Sequence, residues 1–239
     1  MLSLRPVGGH AALRRAVARE GGRLLALSPW KLVANNDAQA RASLAPALGA
    51  QSVVFTSPMA ARAAAALQSL RARRDQAWFA VGAGTAAALR RAGIDTVASP
   101  ARMDSEGLLA LPGLRELHGT AVGLITAPGG RERIETGLRR RGAQVLRADV
   151  YARVPMPPSP RSVAALRGLR GRPWLALSSN GALSRLLAAL PDDARRILLR
   201  ARVAAASARL ATVARHAGFE DVVVAASARP ADLVAAMRR

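Results

Sequence analysis

Ala77-Trp78-Phe79-Ala80-Val81-Gly82-Ala83-Gly84-Thr85-Ala86-Ala87-Ala88-Leu89 joins an apolar run to an alanine-rich run through a glycine turn. An unbroken apolar run of this length fits a strand buried on both faces of a parallel sheet. The Ala/Leu/Arg stretch that follows fits a helix. The pattern recurs outward in both directions. Apolar runs at 51–56, 121–126, 174–178, 202–206 and 221–225 each lead through small polar or glycine residues into a helical pattern. A further strand is expected at 94–98. Strand alternating with helix predicts βαβ units and parallel sheets, an α/β fold.

The order of these segments is duplicated. Gly9 and Gly130 stand 121 positions apart, as do Leu24 and Val145. Val54-Phe55-Thr56-Ser57 returns as Ala176-Leu177-Ser178-Ser179, and Ala92-Gly93 as Ala217-Gly218. Glu106-Gly107-Leu108 returns as Ala231-Asp232-Leu233. Two similar lobes follow from this repetition. Two stretches fall between the repeated elements, Pro29–Asp37 and Asp149–Pro160, and both read as linkers; the second, with Val154-Pro155-Met156-Pro157-Pro158-Ser159-Pro160, is Pro-rich and therefore extended and stiff. Two linkers carry the chain across twice, so one lobe is discontinuous. Residues 1–30 with 156–239 are expected to form it, 36–149 the other, with linkers at 30–36 and 149–156. Ligands in such sheets bind beyond the carboxyl ends of the strands, here expected in a cleft between lobes.

Composition excludes several chemistries. The 239 residues are 51% hydrophobic and only 3% aromatic, so Ala, Leu and Val build the core. With no cysteine there is no disulfide, thiolate ligand or thiol nucleophile. No apolar run reaches the roughly 18–20 residues of a membrane helix, and no targeting segment is visible, so the cytoplasm is expected. The net charge of +21 raises nucleic acid or a polyanionic small molecule as partner. The arginines are scattered, however, and too few aromatics are present for base stacking. The reading is therefore no nucleic-acid partner, no membrane partner, and an acidic small-molecule substrate.

The strand-end turns carry Thr56-Ser57, Gly82-Ala83-Gly84-Thr85, Pro128-Gly129-Gly130, Ser178-Ser179-Asn180 and Ser207-Ala208-Arg209. Such residues cap helices, and they also leave backbone N–H groups facing an anion. Gly82-Ala83-Gly84-Thr85-Ala86-Ala87 mimics a dinucleotide fingerprint, but no acidic residue ends the following strand to hold a ribose. His10, His118 and His216 have no metal-ligand or triad spacing around them, and His10 and His216 are expected to be exposed. No metal and no cofactor are expected. Tyr151, the one tyrosine, lies in a linker run and is either an interdomain packing residue or a hydrogen-bond donor and general acid.

Leu4-Arg5-Pro6, Val54-Phe55-Thr56-Ser57, Gly82-Ala83-Gly84-Thr85, Glu106-Gly107-Leu108-Leu109, Gly129-Gly130-Arg131-Glu132, Arg139-Arg140-Arg141-Gly142-Ala143 and Val150-Tyr151-Ala152-Arg153 resemble, in order and spacing, the uroporphyrinogen-III synthase family. The resemblance covers nearly the whole chain. It implies two flavodoxin-like, Rossmann-like parallel-sheet lobes joined by a two-stranded linker. It also implies a cofactor-free lyase of haem and other tetrapyrrole biosynthesis. Such an enzyme closes hydroxymethylbilane, a linear polycarboxylate, with loss of water and inversion of ring D. By resemblance Tyr151 assists departure of the hydroxyl. Arg5, Thr56, Ser57, Gly84, Thr85, Gly130, Arg131, Ser178, Ser179, Asn180, Ser207 and Arg209 would bind substrate. Leu210 stands where the family often has Thr, leaving Ser207 or Arg209 for the polar role there, and Leu4 replaces the usual Thr before Arg5. A monomer is expected, with transient contact to the preceding pathway enzyme. The alternative is a non-catalytic two-lobed small-molecule-binding protein.

Overall fold

The computed structural model describes residues 1–129 and 132–238. They divide into two compact units, Met1–Lys31 with Val154–Arg239, and Leu32–Arg153. Along the chain the elements are β1 (Leu2–Ser3), α1 (Ala11–Arg19), β2 (Leu25–Ala26), β3 (Trp30–Ala34), α2 (Ala38–Gly49), β4 (Ser52–Phe55), α3 (Pro58–Leu67), β5 (Ala77–Ala80), α4 (Ala83–Arg91) and α5 (Ser105–Leu109). They continue with β6 (Ala121–Thr126), α6 (Glu132–Arg140), β7 (Gln144–Asp149), β8 (Tyr151–Pro155), α7 (Pro160–Arg167), β9 (Trp174–Leu177), α8 (Asn180–Ala189), α9 (Asp192–Leu199), β10 (Arg202–Ala205), α10 (Ala208–His216), β11 (Val222–Val224) and α11 (Pro230–Ala235).

The first unit holds a parallel sheet in the order β11-β10-β9-β1-β2. Counted within the unit this is 2-1-3-4-5, the flavodoxin-like order. Side chains alternate along each strand, so one sheet buries two cores. Leu175, Leu177, Val203 and Ala205 face a core with Leu166, Leu183, Leu186 and Leu198. Ala176 and Ala204, between them in sequence, face Leu13, Val17 and Leu233 from α1 and α11. Alanine on that side lets those helices lie close to the strands.

The second unit repeats the design. Its parallel sheet runs β5-β4-β6-β7, and an isolated bridge from Phe79 to Ala98 extends the β5 edge. Val53, Phe55, Trp78 and Ala80 face one core; Val54, Phe79, Val122 and Leu124 face the other. The strand expected at 94–98 is reduced to that bridge. The N–H of Ile94 is used to close α4, bonding the Leu89 carbonyl, while Gly93 at φ 91° bonds Arg90. This left-handed helix end suits glycine because it has no Cβ. The duplicate position behaves alike: Gly218 at φ 98° bonds Arg215, and Phe219 bonds Ala214.

β3 and β8 form a separate two-stranded sheet. Asn35 N–H bonds the Val150 carbonyl at one end and Met156 N–H bonds Pro29 at the other, so the strands are antiparallel. The unit boundaries, Lys31/Leu32 and Arg153/Val154, fall inside these two strands.

Candidate functional site

In each sheet the chain order reverses between two central strands, β1 and β9 in the first unit, β4 and β6 in the second. Turns leaving such a pair on its carboxyl side form the usual ligand crevice of an open α/β sheet. In the first unit those turns carry Arg5 and Ser178-Ser179-Asn180; in the second they carry Thr56-Ser57 and Ala127-Pro128-Gly129. Gly130 and Arg131, two of the expected substrate residues, lie outside the described residues.

In the second unit Ser57 caps α3, its hydroxyl accepting the Ala60 N–H at 3.0 Å. The same hydroxyl donates to the phenol oxygen of Tyr151 at 3.1 Å. Tyr151 is 3% exposed and packs with the core that holds Phe55 and Ala60. With Ser57 supplying the proton of this bond, the phenol keeps its own to donate. Thr56 is 4% exposed, and its hydroxyl bonds Thr126 at 2.8 Å. Thr85 is 2% exposed in the first turn of α4, whereas Gly84 beside it is open to solvent. Both threonines thus present little surface to a ligand.

An ionic cluster fixes the end of β7 just before Tyr151. Arg147 reaches Glu135 at 2.6 Å, Asp149 at 3.0 Å and the Ala127 carbonyl at 3.0 Å. It ties α6, β7 and the turn after β6 together, while Asn35 Nδ2 bonds the Asp149 carbonyl at 2.8 Å. Burial raises the Glu135 pKa, but hydrogen bonds from Arg147 and Arg139 and their charges outweigh it, and the carboxyl sits below the usual carboxylate range.

In the first unit Ser179 caps α8 through the Ala182 N–H, and Ser207 caps α10 through the Leu210 N–H. Asn180 Oδ1 accepts from Ser184, and Ser178 and Arg209 are exposed. Arg5 donates to the Ala228 carbonyl at 3.3 Å, and its Nε is buried without a partner among the described residues. Burial lowers the Arg5 pKa. Trp30, which matches Tyr151 at the repeat spacing of 121, packs on Gly181 at the start of α8, its Nε1 also buried and, among the described residues, without a partner.

The histidine expectation is half corrected. His216 is exposed, but His10 is only 7% exposed. Its Nδ1 pairs with the Ser3 hydroxyl at 3.0 Å and its Nε2 with the Ser28 hydroxyl at 2.8 Å. The partners come from the ends of β1 and β2, which a reading of the local Ala/Arg stretch does not bring near. Burial, then the charges of Arg14 and Arg5, lower the His10 pKa and keep the ring neutral near pH 7. Among the described residues no group of three His, Asp or Glu could hold a metal ion, and no helix is long and apolar enough to cross a membrane.

Comparison with known proteins agrees with this architecture. The family model described as uroporphyrinogen-III synthase HemD matches residues 11–235. A uroporphyrinogen-III synthase of Escherichia coli is 32% identical over 190 residues, 76% of each chain. That of Salmonella typhimurium is 35% identical over 153 residues, 63% of this chain and 62% of its own length. A mutant uroporphyrinogen III synthase from Thermus thermophilus shares the fold with TM-score 0.60 at 18% identity, covering 100% of this chain and 96% of that one. The enzyme from Helicobacter pylori does so with TM-score 0.59 at 14% identity, over 90% and 92% of the two chains.

Proposed function

The chain belongs to the uroporphyrinogen-III synthase family, and on that premise we propose that it closes hydroxymethylbilane into uroporphyrinogen III. Tyr151 donates its phenolic proton to the terminal hydroxyl of the substrate, which leaves as water. The cationic azafulvene that remains is attacked by the substituted carbon of ring D. The spiro intermediate rearranges and loses a proton, which inverts that ring. The substrate is reactive on its own, so the protein's contribution is mainly to hold one folded conformer and assist the leaving group.

The observation that carries this reading is the Ser57–Tyr151 hydrogen bond, which orients the phenol of the one tyrosine beside a strand-end turn. Donation by Ser57 stabilises the negative charge that grows on the phenol oxygen as the proton leaves. Arg5, Ser178, Ser179, Asn180, Ser207, Arg209, Gly84, Gly130 and Arg131 are the residues assigned to the substrate carboxylates. Thr56 and Thr85 shape the turns that present them. The protein works as a cytoplasmic monomer and takes its unstable substrate by transient contact with the enzyme that makes it.

Incubation with hydroxymethylbilane, followed by separation of the product isomers, tests this. The expected product has ring D inverted. Only the uninverted isomer formed by spontaneous closure would leave a binding protein without catalysis.

A further inference from the structure

His10 belongs to a buried polar group that the Tyr151 chemistry does not use. Ser3, at 0% exposure, lies innermost; His10 is next; Ser28 is half-buried and outermost. Each contact is at hydrogen-bond distance, 3.0 Å and 2.8 Å. A neutral imidazole takes one proton and gives one. The ring tautomer sets the directions of both bonds: with the proton on Nε2, Ser3 donates to Nδ1, Nε2–H donates to Ser28, and the Ser28 hydroxyl keeps its own proton to offer outward, whereas with the proton on Nδ1 Ser28 donates inward. Successive hydrogen bonds polarise one another, so that outermost donor is strengthened.

Ser28 and His10 open on a cavity of about 290 Å³ within the first unit. Val7, Ala26, Met156 and Pro157 form its apolar walls, and Ser159 and Ser162 add hydroxyls. No acidic residue lines it, and the charges of Arg5 and Arg14 act on His10. Small-molecule pockets usually span about 300–1,000 Å³, so this one holds a fragment, not a whole tetrapyrrole. Apolar walls suit a pyrrole ring with its methylene arms, and a polarised hydroxyl in a positive field suits a carboxylate.

We propose that the cavity beside His10, Ser28 and Ser162 is a subsite for one carboxylate-bearing pyrrole ring of the linear substrate, with Ser28 as its hydrogen-bond donor and His10 as the residue that positions Ser28. The identity of the ligand rests on the tetrapyrrole reading above; the presence of a carboxylate site does not.

The probe is a monopyrrole carrying acetate and propionate arms, titrated into the full chain, with its diester as control. Proton NMR of the imidazole Cε1–H reports binding, the His10 signal being assigned by its loss in His10→Gln. The acid is expected to shift that signal saturably, and the ester to leave it in place. Ser28→Ala is expected to weaken the acid about tenfold, the scale of one hydrogen bond to a charged group. The same variant raises KM for hydroxymethylbilane more than it lowers kcat. Ser162→Leu, which fills the cavity and leaves the His10–Ser28 pair intact, weakens binding independently of any folding defect in Ser28→Ala. A motionless His10 signal at millimolar acid, with normal cyclisation, overturns the subsite and spares the enzyme reading. Equal shifts by acid and ester overturn the carboxylate assignment. Saturable acid binding in a protein that fails to cyclise hydroxymethylbilane upholds the subsite and sinks the enzyme reading.

Discussion

Tyr151 sits where two readings of the sequence meet, because its ring is packed in a core while its hydroxyl is bonded to Ser57. Tyr151→Phe keeps the packing and removes the proton. It is expected to fold with an unchanged circular dichroism spectrum and to lose about 10²-fold in kcat; unaltered turnover would reduce Tyr151 to packing. Ser57→Ala removes both an α3 cap and the donor to the phenol, so it costs about 1 kcal/mol of stability as well as rate. The turn hydroxyls were legible in the sequence as either caps or ligands. Ser57, Ser179 and Ser207 are caps, a role dictated by local spacing to the N–H three residues on. The burial of His10 was not legible, since Ser3 and Ser28 reach it only after β1 and β2 pair.

Between elements, a close approach and an ion cluster hold the second unit's sheet to its helices. A Cβ added to Gly123 in β6 would lie 1.8 Å from the Ala47 carbonyl oxygen of α2, so the helix must shift to admit it. Gly123→Ala is expected to destabilise by about 1–3 kcal/mol, read from the urea midpoint. The Arg147–Glu135–Asp149 cluster gives a pH signature. The Glu135 carboxyl is depressed in the folded state, so the folded protein holds its proton less tightly than the unfolded chain. Its contribution is present above the ordinary carboxylate pKa and is lost as pH falls through the depressed folded value. Glu135→Gln should therefore lower Tm at pH 7 and close the gap with the parent protein under acid conditions. The unbroken apolar runs made these sheets readable; Gly123 did not stand out because its constraint comes from a helix distant in sequence.

For the whole molecule, the tandem repeat and the folded units do not coincide. β1 and β2 match β6 and β7, and β4 and β5 match β9 and β10, at nearly constant spacing. Yet β1 and β2 join the sheet of β9, β10 and β11, while β6 and β7 join that of β4 and β5. Each unit is completed by strands from both halves of the chain. The net charge of +21 also acts at this scale. Several arginines are neutralised in pairs such as Arg167–Asp193 and Arg202–Asp221, and the remainder form a diffuse positive field. Such a field draws in a polycarboxylate and is screened over about 10 Å at 0.1 M salt. KM for hydroxymethylbilane is expected to rise several-fold between low and physiological ionic strength while kcat holds. A salt-independent KM would mean that local donors alone capture the substrate.

By itself the sequence determined the alternation of strand and helix, the duplicated order, the capped turns and the family, because each rests on residue type and spacing along the chain. Tertiary structure alone decided the order of strands within each sheet, which hydroxyls are buried, and that His10 meets Ser3 and Ser28 beside a cavity. These depend on pairings between segments remote in sequence, which hydrophobic burial selects only when the sheets close.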